Sequence, residues 1–117
     1  MPRGDRERLA DALNAARLAV SFAGLLDTEA LASDPKTLAA IKYELVILGE
    51  AAAGMSEAVI DRAPDLPWGE MRGLRNALAH EYFRIDVAVI HQLVTEELPA
   101  PLPQTAQPQL AQLLEDC

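Results

Sequence analysis

The chain has 117 residues, of which 50% are hydrophobic and only 4% aromatic, and its 10 basic and 18 acidic side chains give a net charge of −8. This length and apolar fraction predict one folded domain and exclude a disordered chain, while the scarcity of aromatics favours helix over strand. The acidic balance excludes a general nucleic-acid coat protein, which would be basic, but it permits a small local basic site.

The first predicted helix covers about residues 5–23, where apolar residues recur at spacings of three and four. Gly24 is a stop signal for this helix. The connector that follows contains a short predicted helical turn at Thr28–Leu31.

A second helix is predicted to start at Asp34-Pro35, because a capping side chain is followed there by proline at the first helical position. We expect it to run to about Ala63, just before Pro64. Its apolar residues form a heptad-like seam, which is typical of the main helix of an antiparallel bundle. The seam consists of Leu38, Ile41, Leu45, Leu48, Ala52, Met55 and Val59.

The third predicted helix starts at about Trp68 and has two different sides. The apolar side carries Trp68, Met71, Leu74 and Leu78, and the polar side carries Arg72, Arg75, Asn76 and His80. A fourth helix is predicted from the capping residue Asp86 to about Leu98, with an inward face formed by Val87, Ile90, Val94 and Leu98.

These patterns predict an all-α fold, an antiparallel up-and-down bundle of four main helices within residues 1–103. Residues 104–117 form a Gln/Pro-rich tail with a short last helical turn around Leu110–Leu114, which either packs on a neighbour or stays mobile. The single cysteine, Cys117, excludes a disulfide framework within the chain. With no membrane span or signal peptide predicted either, we expect a cytoplasmic location.

The side chains best suited to take part in catalysis lie between Arg75 and Tyr82. An arginine can hold a phosphate with several donors, and a histidine can exchange a proton near neutral pH. Arg75, Asn76 and His80 therefore supply the groups needed to cleave a phosphodiester without a metal. The alternative interpretation of this spacing is a surface arginine and a histidine near a helix C-terminus, where the helix dipole favours it. The other histidine, His91, is eleven residues from His80, so no H-x-x-x-H metal site and no cofactor are predicted.

The spacing of Arg75 and His80 constrains how they could act together. Five residues correspond to about 140° around an ideal helix, so the two side chains would not meet on one phosphate. Either the helix loosens near His80, or a two-fold axis brings Arg75 of one chain to His80 of another. Glu50 in the second helix is either a solvated charge or an acid that faces the arginines.

The segment from Pro67 to Asp86 resembles the signature of HepT-like toxins, which are HEPN-domain ribonucleases of prokaryotic toxin–antitoxin systems. Arg75, His80 and Tyr82 match the family motif R-x4-H-x-Y, and Asn76 is the polar residue common after the arginine. Two further blocks resemble the family in the same order: Leu48-Gly49-Glu50-Ala51-Ala52 and Leu93-Val94-Thr95-Glu96-Glu97-Leu98-Pro99. The resemblance covers about residues 5–100.

The resemblance implies a HEPN-like bundle that forms a homodimer, with a composite site in the dimer cleft. It implies metal-independent cleavage of RNA by Arg75 and His80, with Asn76 either orienting His80 or donating to a phosphate oxygen. It also implies a partner, an MNT-type nucleotidyltransferase antitoxin that transfers AMP to the motif tyrosine, here Tyr82, as in type VII-like systems. The added bulk and negative charge would exclude RNA from the site.

An alternative function is a HEPN module without catalysis that serves as the partner of a nucleotidyltransferase. The family often carries an arginine in the second helix, and this chain reads Ile41-Lys42-Tyr43-Glu44-Leu45 in that region. This departure and the acidic net charge motivate the alternative.

Overall fold

The computed structural model describes residues 4–80, 86–99 and 106–116, with residues 79 and 80 described through their backbone alone. Over these ranges the chain forms seven α-helices and one π-helical segment and contains no strand, which confirms the all-α prediction. The elements are α1 (Asp5–Ala23), α2 (Thr28–Ala32), α3 (Pro35–Ala53), α4 (Glu57–Arg62), α5 (Trp68–His80), α6 (Val87–Gln92), the π-helical segment (Leu93–Glu97) and α7 (Ala106–Glu115).

The core of the bundle lies between α1 and α3, with α5 packed on α3 and α7 packed on α1. Small residues on α1 allow the helices to approach closely, because Ala12, Ala16 and Ala19 are completely buried. Larger aliphatic side chains fill the remaining space, and those of α1 and α3 include Leu9, Leu13, Ile41, Leu45 and Leu48.

The prediction of one continuous second helix is wrong, since the chain forms two helices in this region. α3 begins after Asp34 as predicted but ends at Ala53, and α4 begins after Ser56. The hydroxyl oxygen of Ser56 accepts a hydrogen bond from the Val59 backbone N–H, which caps the new helix. The apolar seam crosses the break, with Met55 and Val59 still buried, so its period alone could not reveal the interruption.

A carboxylate from α1 stabilises this break. Asp5 accepts a hydrogen bond from the Ser56 backbone N–H at 3.0 Å and another from the Ser56 hydroxyl at 2.6 Å. These bonds favour the ionised carboxylate and hold the pKa of Asp5 below its ordinary value. Residues 51 positions apart are thereby joined at the start of α1 and the start of α4.

α5 begins at Trp68, where the sequence predicts it. The Trp68 indole N–H donates to the Ala63 carbonyl at 2.8 Å, which ties the start of α5 to the end of α4. Trp68, Met71 and Leu78 are buried, and Leu74 packs against the core from a half-buried position, so the predicted apolar side is confirmed.

The predicted fourth helix exists but changes its hydrogen-bonding pattern along its length. Asp86 caps α6 by accepting from the Ala88 backbone N–H at 2.9 Å, and the helix then continues as the π-helical segment. Its predicted inward residues Ile90, Val94 and Leu98 are all buried.

The C-terminal tail forms a longer helix than the single turn predicted. α7 has ten residues and packs on α1, and its Leu110 is completely buried in the common core. Asp116, just after α7, forms an ion pair with Arg62 of α4 at 3.3 Å. The predicted boundary between residues 103 and 104 lies outside the described residues. None of the helices described here is long and apolar enough to cross a membrane.

Candidate functional site

The predicted polar side of α5 faces outward in the structure. Asn76 is exposed and Arg75 is half-buried, on a helix whose backbone stays α-helical through His80. The helix therefore does not loosen before its last residue, and positions 75 and 80 lie about 140° apart around its axis. The side chain of His80 and the whole of Tyr82 lie outside the described residues.

Arg75 owes its position to a close approach between α3 and α5 at Gly49. A Cβ atom built on Gly49 would lie 2.7 Å from the Arg75 backbone nitrogen and 3.0 Å from the Met71 carbonyl oxygen. Real Cβ atoms essentially never come as near as the first of these distances, so only glycine allows this spacing of the two helices. The approach places the backbone of Arg75 directly against the last turns of α3.

The residue after Gly49 is the acid that meets the arginine. Arg75 donates a hydrogen bond from Nη1 to Oε2 of Glu50 at 3.4 Å, and the two side chains are 41% and 56% exposed. Of the two interpretations of Glu50, the structure supports the acid that faces an arginine. An exposed pair of this length is weak, contributing at most about 1 kcal/mol, so an incoming anion can compete with Glu50 for the guanidinium.

Arg75 and Glu50 also line a groove of about 360 Å³ between α1, α3 and α5. α1 contributes Arg8 and Asp11, and small residues near the end of α3 form part of the lining. Among the described residues, the lining consists of Arg8, Asp11, Ile47, Glu50, Ala51, Ala53, Gly54 and Arg75. A groove lined by two arginines and two acidic residues is suited to a charged ligand.

Arg8 and Asp11 are groove residues that no pattern in the sequence indicates. Arg8 lies 67 positions before Arg75, and no local motif connects them. The available signal was the pair of glycines at positions 49 and 54, because the absence of a side chain at each lets another residue approach closely.

A second cavity, of about 310 Å³, lies between α3, α5 and the π-helical segment. Leucine side chains and Met71 dominate its described lining, which includes neither Arg75 nor Asn76. Across residues 4–80, 86–99 and 106–116, no group of three or more His, Cys, Asp or Glu side chains is placed to hold a metal ion.

Comparisons with known proteins agree on one family. A sequence model described as "Ribonuclease HepT-like" matches residues 12–114. The chain is similar to "Probable ribonuclease HepT" of Thermococcus cleftensis, with 33% identity over 86% of this chain and 91% of the relative. It is also similar to "Putative RNase MJ1380" of Methanocaldococcus jannaschii, with 33% identity over 78% of this chain and 84% of the relative. No solved structure gives a significant match.

Proposed function

This chain belongs to the Ribonuclease HepT-like family, and on that premise we propose that it is a metal-independent endoribonuclease, the toxin of a type VII-like toxin–antitoxin pair. The observation that supports this most is the half-exposed side chain of Arg75 in the lining of a groove, on a backbone that packs directly against Gly49. Cleavage of RNA requires a cation at such a place, where a phosphate can reach it from solvent.

In the proposed reaction the cleaved phosphate of RNA replaces Glu50 as the partner of Arg75. The 2′-oxygen attacks the phosphorus as the bond from phosphorus to the 5′-oxygen breaks, which leaves a 2′,3′-cyclic phosphate and a 5′-hydroxyl. His80 either takes the proton of the 2′-hydroxyl or gives one to the leaving 5′-oxygen, and water exchanges the other proton. Arg75 stabilises the negative charge that develops on the phosphate oxygens. Asn76, exposed one residue further along α5, orients His80 or donates to the same phosphate.

We propose that two chains share each site. Positions 75 and 80 diverge on a helix that stays regular through His80, which supports a site that takes Arg75 from one chain and His80 from the other. A two-fold symmetric homodimer provides two such sites in one cleft.

The proposed control of the enzyme is AMP transfer to Tyr82 by an MNT-type nucleotidyltransferase antitoxin. Tyr82 follows His80 by two residues, so a nucleotide attached there would bring a phosphate and a base close to the site. The added negative charge repels RNA, and the added bulk blocks the place where the cleaved phosphate binds.

RNA cleavage by the purified protein in the presence of EDTA tests the catalytic proposal. Arg75→Ala and His80→Ala should each lower the rate by 10²-fold or more, since general acid–base and electrostatic contributions are typically of this size. Arg72→Ala is the matched control, because Arg72 is an exposed arginine of the same helix that donates to the Trp68 carbonyl and does not line the groove. Equal cleavage by all four proteins would identify the activity as a contaminant.

The alternative is a catalytically inactive module that partners a nucleotidyltransferase, and the neutralisation of Arg75 by Glu50 together with the net charge of −8 favours it. Intact mass spectrometry after co-expression with such a transferase separates the two functions. An AMP mass increase that disappears in Tyr82→Phe supports the modified toxin. Stable co-purification without any mass increase, and without cleavage of RNA, supports the module.

A further inference from the structure

The groove beside Arg75 contains a second guanidinium that the proposed reaction does not use. Arg8 comes from α1 and lies over Gly54, the capping residue of α3. A Cβ atom built on Gly54 would come within 2.7 Å of Arg8 Cζ, so the absence of a side chain at position 54 is what gives Arg8 its place. Arg8 is half-buried there, with its charged end in the groove lining.

The two arginines both meet the C-terminal end of α3. Arg75 pairs with Glu50 in the last turn of the helix, and Arg8 covers Gly54, the capping residue that follows it. Both arginines line the same groove, so a strand that enters the groove can meet both side chains. Neighbouring phosphates of a nucleotide chain can each contact one of two cations that line a groove of this size.

We propose that this groove is a second phosphate subsite, in which Arg8 binds the phosphate next to the one that Arg75 and His80 cleave. The inference rests on the proposed function and specifies its substrate as a single-stranded RNA segment with at least two phosphates. The strand passes from the solvent side of α5 across the last turn of α3 to the first turns of α1. Arg8 does not touch the reacting atoms, so it is a substrate-binding residue and not a catalytic one.

The acids of the groove explain why binding there depends on a polyanion. The lining carries Asp11 and Glu50 beside the two arginines, and Glu50 pairs with Arg75. A single phosphate at Arg75 must displace the Glu50 carboxylate, and one charge-assisted contact offers little net gain. Two linked phosphates engage both arginines at once, and the second contact is then intramolecular.

Cleavage kinetics with substrates of different length test the subsite. Arg8→Ala should raise KM about tenfold for an oligoribonucleotide with several phosphates, as expected for loss of one charge-assisted phosphate contact. It should leave KM unchanged for a dinucleotide, which has a single phosphate, whereas Arg75→Ala should damage both reactions. Arg17→Ala is the control. Arg17 is exposed on α1 and lies nine residues after Arg8, which places it on the opposite side of the helix.

Gly54→Ala tests the phosphate subsite without removing any charged side chain. The backbone of Gly54 has φ −91° and ψ 0°, a conformation that alanine accepts, so the new methyl group acts mainly by displacing Arg8. We expect the same rise in KM for the longer substrate. Circular dichroism melting of each variant identifies any that is unfolded, and Arg8→Gln then replaces Arg8→Ala, because it keeps part of the side chain over Gly54.

Binding of a non-cleavable 2′-O-methyl oligonucleotide separates this inference from the proposed function. The logarithm of the association constant decreases linearly with the logarithm of the salt concentration. The steepness of this decrease should be smaller by about 0.7 in Arg8→Ala and unchanged in Arg17→Ala. If the wild type cleaves no RNA but shows this difference in slope, the subsite stands and the catalytic proposal fails. If Arg8→Ala matches Arg17→Ala in KM and in slope while Arg75→Ala is defective, the subsite is overturned and the catalytic proposal stands.

Discussion

Gly49 and Arg75 are in contact through the backbone of α5, since a Cβ atom on Gly49 would lie 2.7 Å from the Arg75 nitrogen. The same glycine therefore sets the distance between two helices of the core and the position of the arginine proposed for catalysis. Packing and function are coupled at this contact, because any group larger than hydrogen at position 49 must push α5 away from α3.

Gly49→Ala should lower the free energy of unfolding by about 1–3 kcal/mol, the usual cost of overpacking a core, and should also reduce RNA cleavage because Arg75 moves. Gly73→Ala is the matched control on α5: a Cβ there meets nothing within 4 Å, so the substitution should stabilise the helix by about 0.5–1 kcal/mol. Urea unfolding measures the free energy of unfolding of both variants. Equal changes in this free energy would show that helix propensity, and not the contact with Arg75, governs position 49.

Mixing two inactive variants should restore cleavage if each site takes Arg75 from one chain and His80 from the other. In a random mixture of Arg75→Ala and His80→Ala chains, half of the dimers are mixed, and each mixed dimer has one intact site. Activity should therefore recover to about a quarter of the wild-type value after subunit exchange. A mixture as inactive as its components would place both residues of a site on one chain.

Glu50→Gln removes the carboxylate that competes with RNA for Arg75, so KM for RNA should fall a few-fold. The free energy of unfolding should change by less than about 1 kcal/mol, because the ion pair is exposed. Steady-state kinetics and urea unfolding of the same preparations check both values. A lower kcat with an unchanged KM would instead assign Glu50 the task of orienting Arg75.

The Asp5–Ser56 contact should make stability depend on pH in the acid range. The folded state holds the pKa of Asp5 below its ordinary value of 3.8, so the ionised carboxylate stabilises the fold above that pH. This contribution is lost as the pH falls through the lowered pKa and Asp5 becomes protonated. Asp5→Asn should cost about 1 kcal/mol near neutral pH and progressively less below about pH 4.

Unfolding of wild type and Asp5→Asn across this pH range measures the effect, with Asp61→Asn as an exposed control on α4. A destabilisation by Asp5→Asn that is constant down to pH 2 would show that the carboxylate charge plays no part.

Leu110→Ala should lower the free energy of unfolding by about 2–5 kcal/mol, because Leu110 is completely buried where α7 packs on α1. Gln112→Ala, on the exposed side of the same helix, should change it by less than about 0.5 kcal/mol. Thermal or urea unfolding compares the two. Similar small effects would show that α7 contributes little to the core in solution.

The helices whose starts are marked by local chemistry were predictable from the sequence. Asp34-Pro35 and Asp86 begin helices where predicted, because a capping side chain acts on backbone groups within three residues of itself. The apolar face of α5 was likewise predictable, since the buried residues recur with the period of a helix. The sequence also determined the family, through Arg75, His80 and Tyr82 in one short motif with flanking blocks in the same order.

The tertiary structure alone decided the features that depend on residues distant in the chain. The break between α3 and α4 is stabilised by Asp5, 51 positions away, and the depth of α7 in the core follows from its packing on α1. Arg8 joins Arg75 in one groove because glycines at positions 49 and 54 let two other helices approach α3. Periodicity and capping describe a helix by itself, whereas these arrangements depend on how closely helices can approach, which is set by the atoms that meet between them.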